Sequence, residues 1–394
     1  IKECIPEKST VYYIPSGAIH GIALEALPLS DGTTLGQHYH FVRLTSAREL
    51  LKDKSYGNLR KTATLYGGLN YNLSPEKMEE ESKCYDLSEL AWVRRSEYGS
   101  SGFKDLRKTK EEVEDAMLEA GFRRDCCIIA VGGGVVTDLS GFLAGTYGRG
   151  VPFINYATTL LAAADASVGG KTAVDTPLAT NLIGLFNQPE KVYLDIAAWK
   201  TLPQRQLSSG MAETIKHACM ADKEMFEFLE KHMEDIFAGD REACEYIAKK
   251  NCQIKYAVVM KDEKEQGLRE ILNLGHTVGR AIETVSDYRL LHGEALSIGM
   301  VAMTELAHRL GYMTEEEKTA VKNLLEKAKL PVEIPEYIDR EALVKKLYTD
   351  KKVRDGKLRF VVEKGIGGIV EFEEGVFATP VDEAVARDII MKMK

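Results

Sequence analysis

The spacing of hydrophobic and polar positions divides the chain into stretches of different character. Between residue 9 and about 116 the pattern is short and alternating. "STVYYIP" and "YHFVRLT" read as strands, "TATLYGGL" as a third that ends at glycines, and "LSDGTT" as a turn. "RRSEYGSSGF" is polar and glycine-containing, and reads as loop. From 125 to about 200 the chain reads as α/β. "DCCIIAVGGGVVTDLSGFLAGTY" predicts a buried strand, a glycine turn and a helix, while "VPFINYATTLL" and "KVYLDI" supply further strands. From 204 to 350 the period is helical, clearest in "EMFEFLEKHMEDIF", "GEALSIGMVAMTELAHRL" and "EEEKTAVKNLLEKAKL". "GKLRFVVEKGIGGIVEFEEG" then predicts two strands around a glycine turn. No internal repeat or low-complexity tract interrupts this order.

Composition narrows the class. A chain of 394 residues, 44% hydrophobic and 28% charged, has the make-up of a soluble protein of about two or three domains. No run of about 18 apolar residues predicts a membrane span, and no signal-peptide pattern opens the chain, which starts at Ile1. The net charge of −8 argues against a nucleic-acid binder, whose footprint is basic, yet leaves room for a locally positive pocket. The seven cysteines are scattered, odd in number and without a CxxC pair, which predicts reduced thiols in a cytoplasmic protein.

Chemistry-bearing residues concentrate in "REILNLGHTVGRAIETVSDYRLLHGEAL". Arg269, Asn273, His276 and Arg280 are spaced by four, three and four, which on a continuous α-helix places them on one face. His292 follows. Two histidines are not a zinc site, since a catalytic zinc takes three protein ligands and keeps a fourth position open. Glu213, in "SSGMAETIKHACMAD" beside Lys216 and His217, is the best third candidate. On spacing alone, ligands and satisfied core histidines are equally good readings. In "AVGGGVVTDLSG" the turn Gly132, Gly133, Gly134 between strand and helix can hold a phosphate on backbone N–H groups, or be a tight turn only. "ADASVGGKTAVDTPLATNLIG" places Asp165, Lys171 and Asn181 in a predicted loop that either closes over a polar ligand or is plain surface. "YTDKKVRDGK", with Lys351 and Lys352, reads by default as a solvated charged turn.

From about Leu118 to the end these motifs, in this order, resemble the 3-dehydroquinate synthase family: "GGGVVTDLSGFLAGTYGRGVPF", "TTLLAAADASVGGKTAVDTPLATNLIG", "LPQRQLSSGMAETIKHA", "GLREILNLGHTVGRAIE", "LLHGEAL" and "DKK". The resemblance implies a Rossmann-like α/β part, expected here to be incomplete, and a mostly α-helical C-terminal domain. It assigns zinc (or cobalt) to Glu213, His276 and His292, and NAD to Gly133, Gly134, Asp138, Thr158 and Thr159. Asp165, Lys171, Asn181, Lys216, Lys255, Arg269, Asn273 and Lys351 fall on its substrate-binding positions, with Arg280 in the place of a phosphate-handling histidine. Arg149 matches an arginine that reaches a partner subunit's site, which implies a homodimer. The implied reaction is the cyclisation of the sugar phosphate 3-deoxy-D-arabino-heptulosonate 7-phosphate to 3-dehydroquinate and phosphate, a carbon–oxygen lyase step of the shikimate pathway to aromatic amino acids.

Departures from the family's pattern are Thr180, where a lysine is usual before the asparagine, and Arg280 itself. Arginine binds phosphate but exchanges no proton near neutrality. Both leave open a related sugar-phosphate cyclase. The family's adenosine-binding first half is not recognisable; residues 9–116 instead resemble part of a CHAT domain, a caspase-like fold. The segment lacks a cysteine in a nucleophile context to pair with His20, His38 or His40, so peptidase chemistry is not expected, and a catalytically weak fusion with an N-terminal interaction segment is the remaining alternative. The expected organisation is therefore a CHAT-like fragment at 1–116, an NAD-binding α/β segment at 117–203 and a metal- and substrate-binding helical domain at 204–394, with a bared sheet edge unless the first segment covers it.

Overall fold

A computed structural model describes residues 10–13, 33, 35–38, 40–43, 61–67, 106–176, 179–349, 353–354 and 357–393. The chain forms two compact units, Ile1–Thr158 with Gly170–Leu194, and Thr159–Gly169 with Asp195–Lys394. Among the described residues no helix is long and apolar enough to cross a membrane.

The first unit is built on a parallel sheet. Its strands are β1 (Thr10–Tyr13), β2 (His40–Arg43), β3 (Lys61–Gly67), β4 (Cys127–Gly132), β5 (Phe153–Ala157) and, after a hairpin, β8 (Lys191–Leu194). Their order is β2-β1-β3-β4-β5-β8, and every pairing is parallel. The bared edge does not arise: β4 pairs with β3 over Thr62–Gly67, so three strands from the N-terminal stretch complete the sheet. Helix α1 (Leu106–Glu119) runs unbroken across the expected boundary after residue 116. The side chains of β1 to β3 and nearly all the remaining stretch before Leu106, which carries most of the CHAT-like resemblance, lie outside the described residues.

The run "CIIAVG" is buried almost throughout, as a central parallel strand requires. Helix α2 (Gly134–Thr146) starts at the glycine turn, with Gly133 as its N-cap. Met117, Phe122, Ile128, Leu143 and Phe153 form the core between helices and sheet. The predicted loop after Asp165 is largely an antiparallel hairpin, β6 (Lys171–Thr176) with β7 (Ala179–Phe186). Across it Thr172 donates its hydroxyl to Leu185 O (2.9 Å).

The second unit is helical, as the period predicts. Its helices are α3 (Gln204–Ala221), α4 (Lys223–Ala238), α5 (Arg241–Lys261), α6 (His276–Val285), α7 (His292–Arg309), α8 (Glu315–Lys327), α9 (Arg340–Thr349) and α10 (Glu383–Lys392). Their starts follow capping chemistry written in the sequence. Asp222, Asp240 and Asp382 accept N–H groups at the starts of α4, α5 and α10, and Thr314 with Glu317 forms a reciprocal capping box at α8. Strands β9 (Val353–Arg354), β10 (Lys357–Val361) and β11 (Ala378–Pro380) form a small antiparallel sheet in the order β11-β10-β9. The expected second strand after the glycine turn shrinks to isolated bridges, Glu363 to Ile369 and Glu373 to Val376. Here Gly367 N–H bonds Cys219 O at 2.8 Å, pulling the turn onto the end of α3.

Helix α3 is the centre of this unit, buried from Leu207 to Met220. The start of α7 lies against it: Ser209 Oγ accepts Gly293 N–H at 3.0 Å, and a Cβ on Gly293 would stand 1.9 Å from Ser209 O. No side chain fits at 293 without moving the two backbones apart. Gly293→Ala therefore lowers stability by about 1–3 kcal/mol, read as an earlier urea midpoint with an unchanged slope; a midpoint equal to the parent's contradicts this packing.

Glu363 is fully buried, and neither carboxylate oxygen has a hydrogen-bond partner. Burial pushes its pKa up to about 8, from an ordinary value of 4.5. The folded state then holds a proton that the unfolded chain releases between those two values, so stability falls as pH rises from about 4.5 to about 8, by about 1.4 kcal/mol per pH unit at most. Glu363→Gln removes this dependence. Urea midpoints at pH 5.5 and 8 should fall with pH more steeply in the parent than in the variant; parallel profiles contradict a protonated Glu363.

Candidate active site

Three charged or titratable side chains lie inside α3, where burial costs several kcal/mol unless each is compensated. Glu213 and His217 are fully buried and Lys216 is 1% exposed. The compensation is mutual. Glu213 Oε2 pairs with Lys216 Nζ, which also donates to Leu272 O at 2.9 Å. His217 Nδ1 meets Asn251 Oδ1 at 2.9 Å, and Asn251 donates in turn to Thr214 Oγ1 at 3.0 Å.

With Oε2 engaged, Glu213 turns Oε1 toward two imidazoles. It lies 3.3 Å from His276 Nε2 and 3.1 Å from His292 Nε2. Both histidines are the first residues of their helices, and both ring positions have local causes. Gly275 adopts φ +73° before α6, a left-handed conformation that suits glycine, and the chain turns there. His276 Nδ1 donates to Leu274 O (3.1 Å), leaving Nε2 as the free acceptor. At α7, Ser209 holds Gly293 N–H and the Glu294 carboxylate accepts Leu291 N–H (2.8 Å). Arg205 clamps Glu294 with two bonds of 2.6 Å. His292 is thereby fixed at the helix start, with Nδ1 3.4 Å from Glu283 Oε1.

The two histidines differ in charge state beside an ionised Glu213. Burial raises the Glu213 pKa, but Lys216 and the two histidines outweigh this and hold it well below the usual carboxylate range. Burial and Lys216 lower His276 to about 4, so its imidazole is neutral. Burial also lowers His292, but Glu283 and Glu213 outweigh it and push its pKa up to about 10. Two donors each about 2.0–2.1 Å from a tetrahedral ion lie roughly 3.3 Å apart. The Glu213–histidine separations match that edge; the neutral Nε2 of His276 facing a carboxylate oxygen is satisfied by a cation between them, and an ion there takes the place of the proton that His292 shares with Glu213. One carboxylate and two imidazoles make three ligands, the number that leaves a coordination position open for catalysis.

Around this centre the second unit gathers further predicted residues. Asp165 sits in a π-helical turn, and its Oδ1 lies 2.6 Å from Lys255 Nζ. Burial raises the Asp165 pKa, and Lys255 outweighs it, so the carboxylate stays ionised. Asp165, Glu213 and His217 place ligand atoms within 4.8 Å of one another. Arg269 is 1% exposed and donates to the carbonyls of Gly169 (2.7 Å) and Glu263. Asn273 donates to Glu265 Oε1 at 2.8 Å.

The continuous helix expected across Arg269 to Arg280 is not formed. Leu268–Asn273 is a 3-10 helix, the chain turns at Leu274 and Gly275, and α6 begins at His276. The four residues therefore do not share one helical face, and Arg280 is exposed on α6. In the first unit, Gly133 and Gly134 open α2, Asp138 is one turn on, and Thr158 N–H bonds Gly132 O at 3.0 Å just after β5. Thr159, the first residue of the second unit, accepts Ala162 N–H at its hydroxyl (3.1 Å). Arg149 is exposed with φ 70°; Lys171 opens β6; Asn181, in β7 at φ 52°, donates its N–H to Asp175 at 2.8 Å. Lys351 and the Thr180 side chain lie outside the described residues. Sequence reasoning missed Glu283 and Asn251. Glu283 was findable, since it is seven residues after His276 and so on the same helical face.

Residues 99–209 match the 3-dehydroquinate synthase N-terminal model and residues 210–353 the C-terminal model, so the match opens ahead of Leu118. The chain is 45% identical over 270 residues to the 3-dehydroquinate synthase of Ruminiclostridium cellulolyticum, covering 68% of this chain and 75% of that protein. It is 43% identical over 293 residues to that of Aliivibrio fischeri, covering 74% and 79%. Among solved structures, the 2-epi-5-epi-valiolone synthase of Streptomyces hygroscopicus, solved with NAD⁺ and Zn²⁺, is 26% identical with a TM-score of 0.70, covering 87% of this chain and 94% of that one. A 2-deoxy-scyllo-inosose synthase, 24% identical with a TM-score of 0.72 over 85% of this chain and 91% of that one, shares the fold. The chain belongs to the 3-dehydroquinate synthase family.

Proposed function

We propose that this protein is a 3-dehydroquinate synthase that converts 3-deoxy-D-arabino-heptulosonate 7-phosphate to 3-dehydroquinate and phosphate, acting as a carbon–oxygen lyase in a cytoplasmic homodimer. The observation that carries this reading is the Glu213–His276–His292 centre beside buried lysines, in a chain 45% identical to a 3-dehydroquinate synthase. The three side chains suit zinc or cobalt by donor type and spacing. In such a site the metal supplies Lewis acidity at a substrate hydroxyl, and NAD supplies a hydride acceptor regenerated within each turnover.

The chain's own residues bind and orient. Lys216 occupies one oxygen of Glu213 and thereby keeps the other for the metal. Asp165, a half-buried and ionised carboxylate, accepts a substrate hydroxyl and holds Lys255 beside it. Lys255 and Lys216 supply positive charge for a substrate carrying a carboxylate and a phosphate. Arg269 braces the Gly169 carbonyl next to the substrate residues, and with Asn273 it completes the polar wall assigned to the substrate. Lys171, Asn181, Lys351, Arg280 and, from a partner subunit, the residue equivalent to Arg149 are assigned to the substrate by the same family pattern. For NAD we assign Gly133, Gly134 and Asp138 at the start of α2, where backbone N–H groups meet a pyrophosphate, with Thr158 and Thr159.

Arg280, standing where the family's pattern has a histidine, favours one second reading, a related cyclase for another sugar phosphate. Phosphate release from 3-deoxy-D-arabino-heptulosonate 7-phosphate separates the two. Release should require NAD⁺ and a divalent metal, and should fall at least about a hundredfold in His276→Ala, the cost of several kcal/mol of lost charge stabilisation. Turnover of a sugar phosphate lacking the carboxylate, with none of the proposed substrate, supports the second reading and overturns the first.

A further inference from the structure

Two acceptors back the candidate ligand histidines, and they differ in charge. His276 Nδ1 rests on a neutral carbonyl, Leu274 O at 3.1 Å. His292 Nδ1 faces a carboxylate, Glu283 Oε1 at 3.4 Å, and its opposite nitrogen faces Glu213. Glu283 is part of α6, two turns after His276, so one rigid helix carries a ligand and the support of the other ligand. The His276 and His292 ring centroids are 5.2 Å apart. The Glu283 side chain is 18% exposed, so its charge is only partly screened by water.

We propose that Glu283 is a positioning residue for the metal centre: its carboxylate accepts the Nδ1–H of His292, fixing the tautomer and ring orientation that present Nε2 to the ion. The inference rests on the reading of Glu213, His276 and His292 as ligands, and adds a residue that neither the motif pattern nor the ligand geometry assigns. A carboxylate behind an imidazole also raises its basicity, which makes His292 the stronger donor of the pair. The ion's affinity then depends on a side chain that does not touch it. Lys216 and Arg280 oppose positive charge at His276, Lys216 also pairs with Glu213, and Arg280 favours the ionised form of Glu283.

The test uses the full chain stripped of metal and titrated with Co²⁺, with affinity read by competition against a chelator and the visible d–d spectrum of the bound ion recorded. The parent should bind one ion per chain with the strong absorption of a four-coordinate site, and His276→Ala should abolish it. Glu283→Gln, nearly isosteric, keeps an acceptor without the charge and should weaken binding about 10-fold; Glu283→Ala should weaken it up to about 100-fold, with a shifted spectrum at saturation. Circular dichroism establishes that each variant is folded, and the glutamine variant serves alone if the alanine variant is not. Parent-like affinity and spectrum in folded Glu283→Gln and Glu283→Ala overturn the proposal. A parent that binds no ion, or a His276→Ala variant that binds as well as the parent, overturns instead the underlying ligand assignment.

Discussion

The structure of the second unit depends on one buried carboxylate. Glu213 sits in the middle of α3, which is buried along most of its length, and a lone ionised carboxylate there would be untenable. Its two oxygens divide the problem. One is neutralised by Lys216 on the same helix, the other faces His276 and His292. The cost of burying Glu213 is offset only if α6 and α7 both deliver a histidine to that point, so the positions of three helices follow from one side chain.

Delivery is by helix starts. His276 and His292 are each the first residue of a helix, where the backbone direction is set by the residues just before. Gly275 turns the chain into α6, while Ser209, Glu294 and Arg205 pin the start of α7. Side chains placed at helix starts are held by backbone geometry and capping bonds. The result is a preorganised centre with its acceptors converging, which is the condition for tight binding of a small cation. Asp165 and Lys255 reach the same neighbourhood from a π-helical turn and from α5, adding polar groups suited to an oxygen-rich anionic substrate.

Much of this was legible in the sequence, and the failures have physical reasons. Periodic helices such as α4, α7 and α8 announce themselves, as does the apolar run of β4 before its glycines. That Glu213, His276 and His292 come together was expected from the resemblance, though not from spacing alone, because the partners of Glu213 lie far along the chain. The supposed continuous helix over Arg269 to Arg280 failed at Gly275, whose close approach to Leu296 and Met300 is a tertiary fact. The hairpin of β6 and β7 was read as loop because Gly169, Gly170, Asp175, Pro177 and Asn181 read as turn residues, although β7 carries Leu182, Ile183, Leu185 and Phe186. Glu363 gave no warning either, since a glutamate in a strand-like run reads as surface until burial is known.

The account stands on Glu213, His276 and His292 holding one divalent ion. Anomalous diffraction from crystals of the zinc-loaded protein, collected on both sides of the metal edge, tests this most directly. The prediction is a single strong peak within about 2.0–2.2 Å of Glu213 Oε1 and the Nε2 atoms of both histidines. A fully loaded protein whose peak lies away from these three side chains, or whose histidines turn from it, contradicts the account.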